Sequence, residues 1–140
     1  MSNLLDKIFS LKGTFLKFAL VGISGIAVNQ GLLALQVDYL NIDLKVASIV
    51  AIELSILNNF LWNNIWTWKE RKKHNVWIRL LRYHMVTAFS GGVNYITLLV
   101  LTDSAGMHYL IANLIGIGLG MIINFALNHL WTFQKKESEA

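Results

Sequence analysis

The chain has 140 residues, of which 55% are hydrophobic and 14% charged, with a formal net charge of +4, no proline and no cysteine. A chain this apolar is not disordered, and without cysteine it is neither a disulfide scaffold nor a thiolate metal site. What is left is one domain at most, either a very apolar soluble bundle or a small integral membrane protein, and the placement of charge decides between them.

The first feature in chain order is a short apolar face, Leu4, Leu5, Ile8 and Phe9, beside Lys7 and Lys12. That is the pattern of an amphipathic helix lying on an anionic leaflet. From Phe18 to Val37 the chain then carries no charge. The run starts late and lacks a small-residue cleavage pattern, so it reads as a retained helix and not as a signal peptide. A short segment with Asp38, Asp43 and Lys45 leads into a second run, Val46 to Trp68, with Glu53 as its one charge. The next connection, Lys69 to Arg82, is strongly basic. Within it Trp77, Ile78, Leu80 and Leu81, interleaved with Arg79 and Arg82, form a second amphipathic stretch. A third run, Tyr83 to Thr102, has His84 as its one titratable base, and a fourth, Tyr109 to Phe133, has His129. Each run matches the length a helix needs to cross a ~30 Å hydrocarbon core. The runs are apolar nearly all round, whereas a soluble bundle needs polar faces at helical period. The sequence therefore predicts an all-α integral membrane protein with four transmembrane helices, about 18–37, 46–68, 83–102 and 109–133.

The loops give an orientation. The N-terminus, the middle loop and the C-terminus together hold eleven of the twelve cations, and the other side holds Lys45 beside Asp38, Asp43 and Asp103. The positive-inside rule puts both termini and the middle loop in the cytoplasm, which makes this a multi-pass protein of the cytoplasmic membrane. Trp62, Trp66, Trp68, Trp77 and Trp131 fall toward the cytoplasmic ends and Tyr39 and Tyr109 toward the outer ends, as an aromatic belt would. The positive charge thus points to a membrane surface, and no nucleic-acid motif accompanies it.

The chain repeats itself at one constant offset without a gap. Val21 matches Val86, Asn29 matches Asn94, Asp38 matches Asp103, and Ala47 matches Ala112. Asn59-Phe60-x-x-Asn63-x-x-Trp66-Thr67 matches Asn124-Phe125-x-x-Asn128-x-x-Trp131-Thr132. Matched Asn, Trp and Thr carry information that matched Leu and Val do not. The expectation is two helical-hairpin repeats, about 17–70 and 82–135, forming one domain. Each repeat has two spans, so the repeats are parallel and related by an axis along the membrane normal.

Polar groups inside hydrocarbon need partners or a purpose. Ala51, Ser55, Asn59, Asn63 and Thr67 recur at four-residue spacing, as do Gly116, Gly120, Asn124, Asn128 and Thr132. Residues four apart share a helix face, so each stripe is small at its outer end and amide-bearing toward the basic end. Asn29 and Asn94 follow Gly25 and Ser90 at the same spacing, near mid-span. Two readings stand. The stripes are interhelical glue, with Gly116-x-x-x-Gly120 allowing close approach and the amides bonding across helices. Alternatively, Asn29, Asn59, Asn63, Asn94, Asn124 and Asn128, with Lys17 and Arg82 at the rim and Trp66 and Trp131 at the interface, line a groove for a polar headgroup. Glu53 matches Gly118 in the repeat, so duplication did not require it. A lone membrane carboxylate is a candidate proton site. Neither His84 nor His129 has a metal-like partner spacing, and no cofactor motif is present. There is no nucleophile triad, phosphate loop or acidic metal cluster, so an enzyme is not expected. Without proline, any helix break is expected at glycine, with Gly22, Gly25, Gly91, Gly92, Gly116, Gly118 and Gly120 as the positions.

Lys17-Phe-x-x-Val-Gly22 opening the first span, and Asn124-Phe-x-x-Asn-His-x-Trp-Thr-Phe133 closing the last, resemble the GtrA-like family over about residues 15 to 134. That resemblance implies a small four-span protein of cell-surface polysaccharide synthesis that moves a polyprenyl-phosphate-linked sugar across the membrane. Its partners would be the bilayer, that lipid-linked sugar, a membrane glycosyltransferase and, given the small unit, further copies of itself. The chain departs from the family pattern with His129 (Asn64 in the repeat), where a basic residue is frequent, and with Asn29, where an acid is frequent. Two other functions fit the residues: a non-catalytic anchor for a polyprenyl-phosphate glycosyltransferase, and a proton-coupled exporter of small cations through Glu53.

Overall fold

A computed structural model describes the backbone of residues 2–136, and the side chains within it except those of residues 2–8, 109 and 110. The apolar face of Leu4, Leu5 and Ile8, and the outer aromatic Tyr109, lie outside the described side chains. Four helices follow one another: α1 (Ser2–Ala34), α2 (Leu44–Trp62), α3 (Val76–Leu99) and α4 (Tyr109–Leu127). Each runs without a break into one wider, π-helical turn, Leu35–Tyr39, Asn63–Thr67, Val100–Ser104 and Asn128–Thr132 respectively. No strand occurs among the described residues. With these turns all four are long and apolar enough to cross a bilayer: Phe9–Tyr39, Leu44–Thr67, Val76–Ser104 and Ile111–Thr132. Their outward residues agree. Ile23, Ile26, Ile49, Phe89, Leu114 and Leu130 are each more than half exposed. Apolar surface on this scale requires lipid as its solvent.

The chain forms two compact units, Met1–Glu70 and Arg71–Ala140. Each is an antiparallel helical hairpin. The interior of the first is narrow: Phe18 and Val21 from α1 pack with Ala47, Ala51, Phe60, Asn63, Thr67 and Trp68. The interior of the second uses Tyr83, Val86, Ala112, Phe125, Asn128, Thr132 and Phe133. Most positions of one list match a position of the other at the repeat offset, and so do the C-terminal ends of α1 and α3 and both ends of α2 and α4.

Small residues set how closely the helices approach. In the first hairpin Gly25 lies against the Asn59 side chain, and Ser55 Oγ donates to the Gly25 carbonyl at 2.7 Å. In the second a Cβ on Gly116 would meet the Asn94 side chain and, at 2.7 Å, the Asn94 carbonyl oxygen. One on Gly120 would lie 3.0 Å from the Ser90 carbonyl oxygen. The glycine and serine have changed helices between the two crossings: Gly25 and Ser55 in one, Ser90 and Gly120 in the other. The glycines do not break helices, contrary to expectation. The departures from α geometry are the four π turns, which contain no glycine. A π turn adds one residue to the ring closed by each hydrogen bond, and an exposed or buried run of ordinary residues can accommodate it.

The loops at the far ends from the basic connections are equally regular. Ile42 N–H donates to the Gln36 carbonyl at 2.9 Å, and Met107 N–H to the Leu101 carbonyl at 3.0 Å. Each loop takes one left-handed residue, Asn41 at φ 51° and Gly106 at φ 63°. Asp43 then caps α2 by accepting from Lys45 N–H at 3.0 Å. A β-branched residue bears the left-handed penalty in full, so Gly106→Val is expected to lower stability by about 1–2 kcal/mol, with Asn41→Gly neutral or mildly stabilising. Detergent-phase unfolding curves of the two variants measure this, and equal behaviour would refute it.

Three expectations are corrected. The two amphipathic stretches are not separate surface helices. They are the first turns of α1 and α3, because no glycine pair or proline separates them from the spans, and Asn75 caps α3 by accepting from Ile78 N–H at 3.0 Å. Within the second stretch the apolar side chains Trp77 and Leu81 face outward while Arg79 is buried. Trp68 is not a belt residue, since it is 1% exposed and its ring packs 5.8 Å from that of Phe18.

Candidate functional site

The sequence places the candidate site at the basic end of each hairpin, where one helix starts and its partner finishes. There the π turns have a visible effect. Trp68 N–H donates to the Asn63 carbonyl and Phe133 N–H to the Asn128 carbonyl, both at 2.8 Å. The wider turn lets the adjacent residues Thr67 and Trp68, and likewise Thr132 and Phe133, all face inward. Phe133 meets the Tyr83 ring edge-on at 6.3 Å, in the place where Trp68 packs on Phe18.

The next aromatic outward is Trp66 in one hairpin and Trp131 in the other, and each receives a cation. Lys17 Nζ lies 5.7 Å from the centre of the Trp66 ring, and the Arg82 guanidinium 5.0 Å from that of Trp131. Arg82 Nη1 also donates to the Trp131 carbonyl at 2.8 Å. The predicted rim residues Lys17, Arg82, Trp66 and Trp131 are therefore brought together pairwise, one pair per hairpin. A cation over an indole face is held in place without losing its charge. Beside the first pair lies an open, mainly apolar recess of about 430 Å³ lined by Leu20, Val21, Ser24, Trp62, Ile65 and Trp66.

The amides sit behind the rim, inside each hairpin. Asn63 and Asn128 are 1% and 0% exposed. Asn63 Oδ1 accepts from Thr67 Oγ1 at 2.7 Å, while Asn128 Nδ2 donates to Asn124 Oδ1 at 2.7 Å. Asn29, Asn59, Asn94 and Asn124 are half-buried. Asn59 and Asn94 occupy the close crossings with Gly25 and Gly116. Asn94 Oδ1 and Asn128 Oδ1 are enclosed with no hydrogen-bond partner among the described residues. Glu53 is exposed on α2, on a different face from the interior positions Ala51 and Ser55, so the structure does not bring it to the amide stripe. His84 Nδ1 bonds the Leu80 carbonyl of its own helix at 2.9 Å. Among the described residues no group of three or more His, Asp or Glu could hold a metal.

Several polar residues at the basic end of the second hairpin escaped the sequence reading. Arg79 is 5% exposed. Its signal is its register: 79, 83, 86 and 90 fall on one helix face, the face that packs inward. Arg71 Nη1 donates to His129 Nε2 at 2.6 Å, and His74 Nε2 lies 3.1 Å from Gln134 Oε1. Burial lowers the Arg71 pKa from its ordinary value, although a guanidinium stays charged. No spacing rule in the sequence pairs residues so far apart along the chain.

Comparison with known proteins bears on this arrangement. A family model described as the GtrA/DPMS transmembrane domain matches residues 17–139. A protein of Pyrococcus furiosus named dolichol-phosphate mannosyltransferase is 46% identical over 112 residues, covering 80% of this chain and 31% of that protein. The chain thus spans under a third of the length of that relative. The "uncharacterized membrane protein YngA" of Bacillus subtilis is 28% identical over 121 residues, covering 84% of this chain and 77% of the relative.

Proposed function

The chain belongs to the GtrA/DPMS transmembrane-domain family, and from that premise we propose that it moves a polyprenyl-phosphate-linked sugar across the cytoplasmic membrane. The observation that carries this reading is the repeated cation–indole pair, Lys17 on Trp66 and Arg82 on Trp131, at the basic end of each hairpin. A lipid phosphate needs a fixed cation at headgroup depth, and its prenyl chain needs an apolar wall beside that cation. Lys17 and the recess next to Trp66 offer both. The name of the P. furiosus relative, with a dolichol-phosphate substrate in it, fits the same chemistry. The distribution of cations supports a cytoplasmic position for these ends. The gapless repeat register fits descent from one duplicated hairpin. Asn63 and Asn128 stand directly behind the rim, with Asn59 and Asn124 one turn further in. They meet sugar hydroxyls as the headgroup leaves water, in exchange for the bonds they make inside the hairpin.

The test uses the full chain in liposomes with a short-chain prenyl-phosphate sugar, and a membrane-impermeant oxidant to count the sugar exposed outside. Lys17→Gln with Arg82→Gln is expected to slow transfer about tenfold or more, the worth of one or two charge-assisted bonds. An unchanged rate in a folded double variant overturns the reading.

A second reading has its own observation. The P. furiosus relative extends far beyond the matched segment, so a domain of this kind occurs joined to a longer chain named as a transferase. On this reading the protein anchors or orients a polyprenyl-phosphate glycosyltransferase. Co-purification with such an enzyme, together with no transfer by the isolated chain, would favour the anchor over the transporter.

A further inference from the structure

The second hairpin carries charge that the first does not. At the repeat offset, Arg71 stands opposite Asp6 and His129 opposite Asn64. The two positions that meet in the second hairpin are thus a guanidinium and an imidazole, and their counterparts are an acid and an amide.

Arg71 donates Nη1–H to His129 Nε2 at 2.6 Å. Arginine keeps its protons, so His129 supplies the lone pair and carries its own proton on Nδ1. Two residues on, the Trp131 carbonyl accepts from Arg82 Nη1 at 2.8 Å. The final π turn of α4 therefore holds two guanidiniums, both through uncharged acceptors. Neither Arg71 nor Arg82 has an ion pair among the described residues. Glu70, the chain neighbour of Arg71, lies 3.8 Å from Lys69 Nζ instead, and the next described acid, Asp103, lies past the opposite end of α3. Arg71 is half-buried, and its Nε is enclosed with no hydrogen-bond partner among the described residues. A cation drawn partly out of water without a counter-charge costs free energy that an anion would return. Each guanidinium is fixed through Nη1, which leaves its Nη2 as a charged donor for phosphate oxygens.

We propose that Arg71, His129 and Arg82 form a phosphate-binding site at the basic end of the second hairpin, with His129 positioning Arg71. This rests on the prenyl-phosphate reading for its natural ligand, but the site itself is defined by phosphate chemistry. That chemistry is shared by a lipid phosphate and free phosphate, so the test separates them.

The full chain in detergent is titrated with decaprenyl phosphate, decaprenol and inorganic phosphate, and complexes are counted by native mass spectrometry. Decaprenyl phosphate is expected to bind at least tenfold more tightly than decaprenol. Arg71→Gln and Arg82→Gln are each expected to weaken the phosphate lipid about tenfold and to leave decaprenol unchanged. Lys45→Gln, at the far end of the other hairpin, changes nothing. His129→Gln keeps an acceptor for Arg71 and retains binding that His129→Leu loses. Displacement of the lipid by inorganic phosphate upholds a site for phosphate alone, and failure to displace it upholds one that also needs the tail. If folded Arg71→Gln and Arg82→Gln bind the lipid as wild type does, the site is overturned and the prenyl-phosphate reading stands. If inorganic phosphate binds through Arg71 and decaprenyl phosphate does not, the site stands and that reading falls. Binding of neither overturns both. Should Arg71→Gln fail to fold, Arg82→Gln and His129→Leu carry the same comparison.

Discussion

Replacing Trp68 by alanine is expected to remove about 3–5 kcal/mol of unfolding free energy, and Phe133→Ala a similar amount. Both side chains are essentially without exposure, and each closes the basic end of its hairpin against a ring of the opposing helix, Phe18 or Tyr83. Truncation leaves a ring-sized void beside buried Thr67 or Thr132. Lipid cannot fill that void, because the π turn has already turned the position away from the exterior. Trp62 and Trp77 provide the contrast, at 45% and 74% exposure. Their alanine variants are expected to fall within about 0.5 kcal/mol of wild type. Unfolding by detergent titration, followed by circular dichroism, measures all four. If Trp68→Ala behaved like Trp77→Ala, Trp68 would be a belt residue after all.

The second large effect belongs to Gly116. Valine there would place its Cβ 2.7 Å from the Asn94 carbonyl oxygen, and backbone cannot step aside as a long side chain can. Overpacking of this kind costs about 1–3 kcal/mol or more. The opposing helices must separate, and the bonds near the crossing go with them. Gly118, two residues along, has nothing within 4 Å of its own Cβ position, so Gly118→Val is expected to be tolerated. The pair keeps composition and helix propensity constant and varies only the neighbour. Equal stability of the two variants would show that the α3–α4 contact is not set by this glycine.

The four spans were legible because lipid imposes simple demands on sequence. A run must be long enough and apolar enough, and a polar residue inside it is costly enough to stand out. The Asn63 and Asn128 match was visible for that reason. Which face of a helix points inward was harder to read, since residues facing lipid and residues facing a partner helix are equally apolar. Small residues were the usable signal, and Gly25, Gly116 and Gly120 do mark the crossings. The inward turn of Trp68 was hidden because it depends on one extra residue in a hydrogen-bonded ring, and composition does not record ring size. Arg79 was misplaced for a related reason. A charge beside tryptophans resembles a membrane surface until its register with Tyr83, Val86 and Ser90 is counted. The contact of Arg71 with His129 depends on where a loop folds back, which periodicity does not describe.

The Gly25–Ser55 and Ser90–Gly120 crossings have a consequence for how such a chain can change. In each hairpin the two facing positions hold a single side chain between them, and its volume is the same whichever helix supplies it. Glycine at both would leave the helices under-filled, and serine at both would wedge them apart. Neither position is free to drift alone. The two form a joint heritable unit, in which a change on one helix is neutral only after a compensating change on the other. The two hairpins stand at opposite settings of that exchange, and any route from one setting to the other passes through an ill-fitting intermediate.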